Sequence, residues 1–234
     1  MLNIIETYLT QPGAEGIEVV LQPSTGDAHA DPVFPQWPMA REDIAAESEG
    51  FRARITLLPN PASWVCGDLV WGSSSTDIVF HLNSEEAGKV GVAAGEARPD
   101  RFASLANHLV EQRSYYPLYP AHGGAGGGGG GGGGEASGAG AVPLEVTQLW
   151  STGMPCSPDV LVLPTRLGRP CVRVVGGGTV VVNPGSLARN KSYAKVAVFP
   201  PVGLEEQAAM GATHVSAMAP SRVRVDIERI IIDQ

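Results

Sequence analysis

The sequence predicts an α/β domain whose central sheet is covered on both faces, and three observations carry that prediction. Residues 158–187 contain two apolar runs, DVLVLP and TVVVNPG, bounded by Pro and Gly. Runs of this kind suit strands buried on both sides. After Pro99-Asp100, the residues Phe102, Leu105, Ala106, Leu109 and Val110 recur at helical spacing, with Asp100 as N-cap and an end near Arg113. Finally, SYAKVAVF (192–199) and RVRVDIE (222–228) alternate apolar and polar residues, which predicts half-exposed antiparallel strands. In such a domain the chemistry lies on loops beyond the strand ends. The loops to watch are therefore Pro164-Thr165-Arg166 and Asn183-Pro184-Gly185-Ser186.

The remaining elements follow in order. Leu2, Ile5 and Leu9 share a helical face, so the sequence opens in an amphipathic helix with no cap before it, and Gln11-Pro12-Gly13 stops it. IEVVL (17–21) reads as a short buried strand ending in a polar loop. Three prolines in DAHADPVFPQWPM fix an extended loop anchored by Phe34 and Trp37. Residues 41–50 read as polar helix or loop. SWVCGDLVWG is a hairpin turning at Gly67-Asp68. Local propensity leaves STDIVFHL open between a capped helix and a strand. SYYPLYP is a rigid loop whose Tyr115, Tyr116 and Tyr119 either wedge it onto the core or form a recognition surface. From 123 to 140 the chain is almost entirely Gly, Ala and Ser, with nine consecutive glycines from 126 to 134. Such a stretch cannot bury apolar surface and is expected to be disordered. It also lacks the strand–Gly-rich loop–Lys-Ser/Thr pattern of a phosphate loop. Residues 200–220 read as a polar loop, and Ile230-Ile231-Ile232 as a last strand or its tail.

Composition narrows the function classes. The chain has 234 residues, with 43% hydrophobic, 17% charged, 30 Gly and 19 Pro, which suits one globular domain with long irregular connections. No apolar run approaches the ~20 residues of a membrane span, and the N-terminus has no signal-peptide pattern. The sequence thus predicts a soluble intracellular protein. Cys66, Cys156 and Cys171 are too far apart for a metal knuckle and too few for a disulfide framework, so they are expected to be reduced core thiols. A formal charge of −8 with no Lys/Arg-rich block opposes direct binding to nucleic acid.

Candidate chemistry is sparse. Asp27, His29, Asp31, His81, His108 and His214 are the donors a di-metal phosphoesterase could draw on. Their settings fit structural or solvated roles better: His108 lies in the amphipathic helix, His81 ends an apolar run, and Asp27 and His29 sit on a Pro-bounded loop. No GxSxG elbow is present, Cys156 has no recognisable base beside it, and Glu85-Glu86 looks like a solvated helix end.

The ordered set HADPVFPQWP, STDIVFHLNSEE, DRFASLANHLVEQRSYYPLYP, SPDVLVLP and VVVNPGSL resembles the accessory B subunits of eukaryotic DNA polymerase α, over roughly residues 1–199. The Gly tract, about 121–142, stands as an insertion absent from that pattern. The resemblance implies a four-layer α/β sandwich over 1–234, a calcineurin-like metallophosphoesterase fold that has lost its metal ligands. Active relatives of that fold would carry Gly-Asn-His after a strand like IEVVL and Gly-His-x-His after one like DVLVL; Pro23-Ser24-Thr25 and Pro164-Thr165-Arg166 stand there instead, without imidazoles. The same resemblance implies a helix at STDIVFHL, a helix over 169–175 although its valines alone favour a strand, and a domain whose first strands precede Met1. For function it implies a nuclear, non-catalytic scaffold without cofactor. This scaffold would hold the C-terminal domain of the polymerase α catalytic subunit, reach primase through the complex, and contact DNA only indirectly and no membrane. Tyr115, Tyr116 and Tyr119 are the candidates for a partner surface or the rim of the emptied site. The rivals are a working metal-dependent phosphoesterase using Asp27 and His29, and the B subunit of another replicative polymerase.

Overall fold

The computed structural model describes residues 2–28, 31–40, 53–85, 100–122, 142–200 and 222–230. Its centre is a five-stranded mixed sheet of β3 (Ala62–Cys66), β4 (Leu69–Ser73), β5 (Val160–Val162), β6 (Cys171–Val175) and β7 (Thr179–Asn183), in the order β3-β4-β5-β7-β6. Strands β4, β5 and β7 run parallel, while β3 and β6 flank them antiparallel. The two apolar runs are thus neighbours in the middle of the sheet, and every residue of β7 is buried. Gly67-Asp68 turns β3 into β4, with Gly67 in the left-handed region at φ 65°.

The period of two along a strand sorts the sheet's side chains onto two faces. Leu161, Leu163, Val175 and Val181 join one core with helix α2 (Ile78–Glu85) and helix α3 (Arg101–Gln112). Val160, Val180 and Val182 join a second core against the ribbon of β8 (Ser192–Val198) and β9 (Val223–Arg229), which pair antiparallel. A third, smaller core packs α1 (Leu2–Leu9) on the parallel pair of β1 (Val19–Leu21) and β2 (Ile55–Leu57). The architecture is α/β with mixed sheets.

Helix α3 follows its sequence closely. Phe102, Leu105, Ala106, Leu109 and Val110 are its buried face, Asp100 accepts from Ala103 N at 3.0 Å, and Arg113 closes the helix in the left-handed region at φ 48°. The second Asp100 oxygen pairs with Arg173 Nε at 2.5 Å, tying the helix to β6. The backbone N–H of Ala103 and then Arg173 hold the Asp100 carboxyl below the usual range. STDIVFHL resolves as helix, with Asp77 Oδ1 accepting from Phe80 N at 3.2 Å in the N-cap role.

Several expectations are corrected. Residues 171–175 form strand β6, not a helix: Val172, Val174 and Val175 pair with β7 through a turn at Gly176-Gly177-Gly178, all with positive φ. β-branched residues beside such a turn favour a hairpin, so here local propensity outweighs the resemblance. Cys66 and Cys156 are exposed, so neither is a core thiol, whereas Cys171 is half-buried and packs against the helical-face core; Cys66 closes an edge strand beside its turn. Phe34 anchors its loop at 0% exposure, but Trp37 is 69% exposed, because Gln36 rather than Trp37 turns inward to pair with Asn60. The polar stretch 41–50, the Gly tract, all but the first residue of the loop predicted over 200–220, and Ile231-Ile232 of the predicted terminal strand lie outside the described residues. The last residues before and after the tract do meet: Val142 N donates to His122 O at 3.3 Å.

Candidate functional site

Because β4, β5 and β7 are parallel and in register, their C-terminal ends bring three loops together, 74–77, 163–169 and 184–186. They enclose an open cleft of about 480 Å³ whose lining includes Ser75, Asp77, Thr165, Arg166, Ser186 and Arg189. Both loops that the sequence singles out line it.

Two buried amides brace the loops that line it. Asn183, at 0% exposure, accepts from Thr165 N (3.2 Å) and Gly185 N (2.9 Å) and donates to Thr165 O and Arg169 O (both 3.4 Å). One side chain thereby fastens the loop after β5 to the turn after β7. Gly185 is required there: its φ is 75°, and a Cβ would strike Ser192 Oγ and Pro170 Cγ. On the other side Asn60, also at 0%, donates to Gln36 Oε1 at 2.8 Å and accepts from Ser75 N at 3.0 Å and Ser74 Oγ at 3.3 Å. These partners satisfy the polar atoms that burial would otherwise penalise.

The wall chemistry is ionic. Asp77 Oδ2 accepts from Arg166 N at 2.9 Å and lies 3.4 Å from Arg166 Nε, while the Arg166 guanidinium sits 4.2 Å over the Phe80 ring. The cleft's one carboxylate is therefore already engaged by a helix cap and a cation. Two catalytic metals need several oxygen or nitrogen donors on one focus. The lining residues supply no imidazole or thiolate, and among the described residues no group of three or more His, Cys, Asp or Glu could hold a metal ion.

The predicted donors scatter. Asp27 is exposed and its Oδ2 accepts from Ser24 N at 2.8 Å, a loop-stabilising bond; Asp31 is exposed; His29 and His214 lie outside the described residues; His108 is on the solvent side of α3. His81 is buried at 4% exposure, stacked on His122 with centroids 4.7 Å apart and planes at 19°. His122 Nδ1 reaches Glu85 Oε1 at 2.9 Å, whereas His81 Nδ1 has no hydrogen-bond partner among the described residues. Burial first, and then the neighbouring His122, push the His81 imidazole down to about 4, so it is neutral at physiological pH. Of the three candidate tyrosines, Tyr115 (1% exposed) and Tyr116 (3%) are core residues, and Tyr119 (74%) alone has surface to offer a partner. The Tyr115 hydroxyl donates to Ala62 O at 2.9 Å and meets Ser63 Oγ at 2.7 Å, and burial raises its pKa to about 12. Sequence reasoning named the loops that hold Asn183 and Arg166, but it missed Asn60, the fastening role of the Asn183 amide and the pairing of Asp77 with Arg166.

Residues 1–169 match the family model of the DNA polymerase alpha/epsilon B subunit. The chain belongs to that family. Within the DNA polymerase alpha/epsilon B-subunit family, it is 29% identical over 187 residues to the DNA polymerase alpha B subunit of Mus musculus, an alignment covering 80% of this chain and 27% of that protein. The protein of the same name from Drosophila melanogaster is 31% identical over 186 residues, covering 79% of this chain and 26% of the relative. The one from Saccharomyces cerevisiae is 28% identical over 207 residues, covering 78% and 27%. The chain thus spans about a quarter of the length of these B-subunit relatives. The B-subunit match includes one wall of the cleft, with Asp77 and Arg166, and stops before the other, with Ser186 and Arg189.

Proposed function

We propose that this chain is a non-catalytic scaffold region of the DNA polymerase α–primase B subunit, a phosphoesterase-like domain of the calcineurin type whose metal ligands are gone. In this reading it acts in the nucleus, holds the C-terminal domain of the polymerase α catalytic subunit, and meets primase and DNA only through the assembled complex. The observation that carries the proposal is the cleft. It sits where an α/β enzyme keeps its reacting groups, yet its single carboxylate is bound to Arg166 and Phe80 N, and Asn183 is spent on fastening loops. Such a site is built to be rigid rather than reactive. Family membership and the polymerase alpha relatives support the assignment to a replicative polymerase.

The deciding experiment is co-purification of the full-length protein with the isolated C-terminal domains of the different polymerase catalytic subunits. Retention of the polymerase α domain, with weaker or no retention of the others, is the expected result; preference for another polymerase's domain would overturn it. A phosphodiester hydrolysis assay with added Mn²⁺ tests the scaffold reading separately. Turnover that disappears in His29→Ala would establish a working enzyme instead.

A further inference from the structure

The sequence has no basic block, but the fold assembles one. Arg166 lines the cleft on the β5 side, and Arg169 follows Gly168 on the same loop, its carbonyl held by Asn183. Arg189 lines the opposite wall on the short helix α4 (Leu187–Asn190), and Lys191 follows at its left-handed cap. The pairing Ser192↔Arg229, with Ile230 N donating to Lys191 O at 2.7 Å, brings Arg229 to the same lip. Against these five cations the described residues lining the cleft set one carboxylate, Asp77, already engaged by Arg166. Glu228, next to Arg229, is taken by Tyr193 and lies 3.9 Å from Lys195. Among the described residues the side chains of Arg169, Arg189 and Lys191 have no hydrogen-bond or ion-pair partner, and all three are exposed. Removing five positive charges from the formal −8 leaves −13 on the rest of the chain, so this lip is a local reversal of sign.

We propose that the lip binds a short anionic peptide segment, read through its carboxylate or phosphorylated side chains by Arg169, Arg189 and Lys191. Two features favour a peptide over nucleic acid. Double-stranded DNA carries one charge per ~1.7 Å, so a duplex reaching past the lip would face the acidic remainder of the chain. Bases also need an aromatic platform, and the aromatic ring at this wall, Phe80, is covered by the Arg166 guanidinium at 4.2 Å. A peptide with a few anionic side chains confines its charge to the cleft mouth, where planar guanidinium groups can take carboxylate or phosphate in bidentate fashion. The site stands on this electrostatic arrangement whether or not the domain holds a polymerase catalytic subunit.

Fluorescence anisotropy of the whole chain tests this with three labelled probes: a peptide alternating glutamate with Gly and Ser, its phosphoserine counterpart, and an oligothymidylate. Saturable, salt-sensitive binding of at least one peptide is expected, and which one binds more tightly identifies the anion. The double variant Arg189→Glu/Lys191→Glu should weaken it by ~10-fold or more, since like charge then faces the ligand. Lys195→Glu/Arg224→Glu changes the net charge equally on the ribbon away from the cleft, and should leave binding within about twofold. All four positions are exposed, and an unchanged circular dichroism spectrum checks that each variant is folded. Tighter binding of the oligothymidylate, no saturable peptide binding, or equal losses in the two double variants would overturn the proposal.

Discussion

The two faces of the central sheet are covered in different ways. On the helical face burial is mutual: Leu161, Leu163 and Val181 at 0% exposure meet Ile78, Val79, Leu105 and Leu109 at 0–1%. On the ribbon face Val160, Val180 and Val182 are equally buried, but what covers them, Ala194, Val223, Val225 and Ile227, is only partly so. A thick layer and a thin one thus bury comparable strands. The thick layer fixes the fold, whereas the thin one can lift with less apolar surface exposed. The cleft straddles both, since Asp77 belongs to the helical layer while Arg189 and Lys191 lead directly into β8. One wall is therefore carried by the fully buried layer and the other by the partly buried one.

The sharpest way to break this contrast is truncation on each side. Leu161→Ala should cost ~3–5 kcal/mol in urea unfolding, because the fully buried helical layer packed on it cannot easily collapse into the cavity, whereas Val225→Ala should cost ~1 kcal/mol. Equal losses would show that the ribbon packs as tightly as the helices.

The second prediction titrates the helical layer. His81 has a folded-state value of about 4 against an unfolded value of 6.5. The unfolded chain binds the extra proton in that window, so His81 supports full stability above about 6.5 and loses its contribution as pH falls toward 4, up to ~3 kcal/mol. His81→Phe keeps a ring beside His122 and Tyr116 but cannot titrate. Its unfolding free energy should fall less over that range than the native chain's, and parallel curves would refute the assignment.

Between the layers stands Asn183. Asn183→Ala strands Thr165 N and Gly185 N away from their acceptor and should cost ~2 kcal/mol. It should also loosen the cleft, seen as faster amide exchange at Thr165 and Gly185 with β4 unaffected. The smallest expected effect is at the far margin of the helical layer. Tyr115→Phe removes the bonds to Ala62 O and Ser63 Oγ and should lower stability by ~1 kcal/mol, measured by thermal melting. The ring itself keeps its packing, so a loss as large as that of Leu161→Ala would mean the hydroxyl organises more than edge strand β3.

What the sequence discloses tracks how local each determinant is. Helix α3 was legible because its cap, apolar spacing and left-handed stop lie within fourteen residues, 100–113. The β3–β4 turn and the apolar runs of β5 and β7 were legible for the same reason. β6 shows local propensity prevailing over an expectation drawn from relatives. The cleft was half legible: its loops could be named, but the bonds that join them span 18 residues from Thr165 to Asn183 and 89 from Asp77 to Arg166. Asn60 with Gln36 was invisible, since nothing in either segment marks a polar residue that will be fully buried. Tyr115 and Tyr116 were placed in the right loop, but the pattern alone left open which tyrosines would turn inward.

The clasp between His122 O and Val142 N has a practical consequence. Nineteen residues, 123–141, lie between two positions already held at hydrogen-bond distance, so whatever occupies that interval has its ends supplied by the fold. Lengthening the chain between two fixed points is thermodynamically mild, about 0.6 kcal/mol per doubling. The interval is accordingly a port for cargo: a fluorescent protein or an epitope spliced there would mark this protein without pulling on the sheet, its two cores or the cleft.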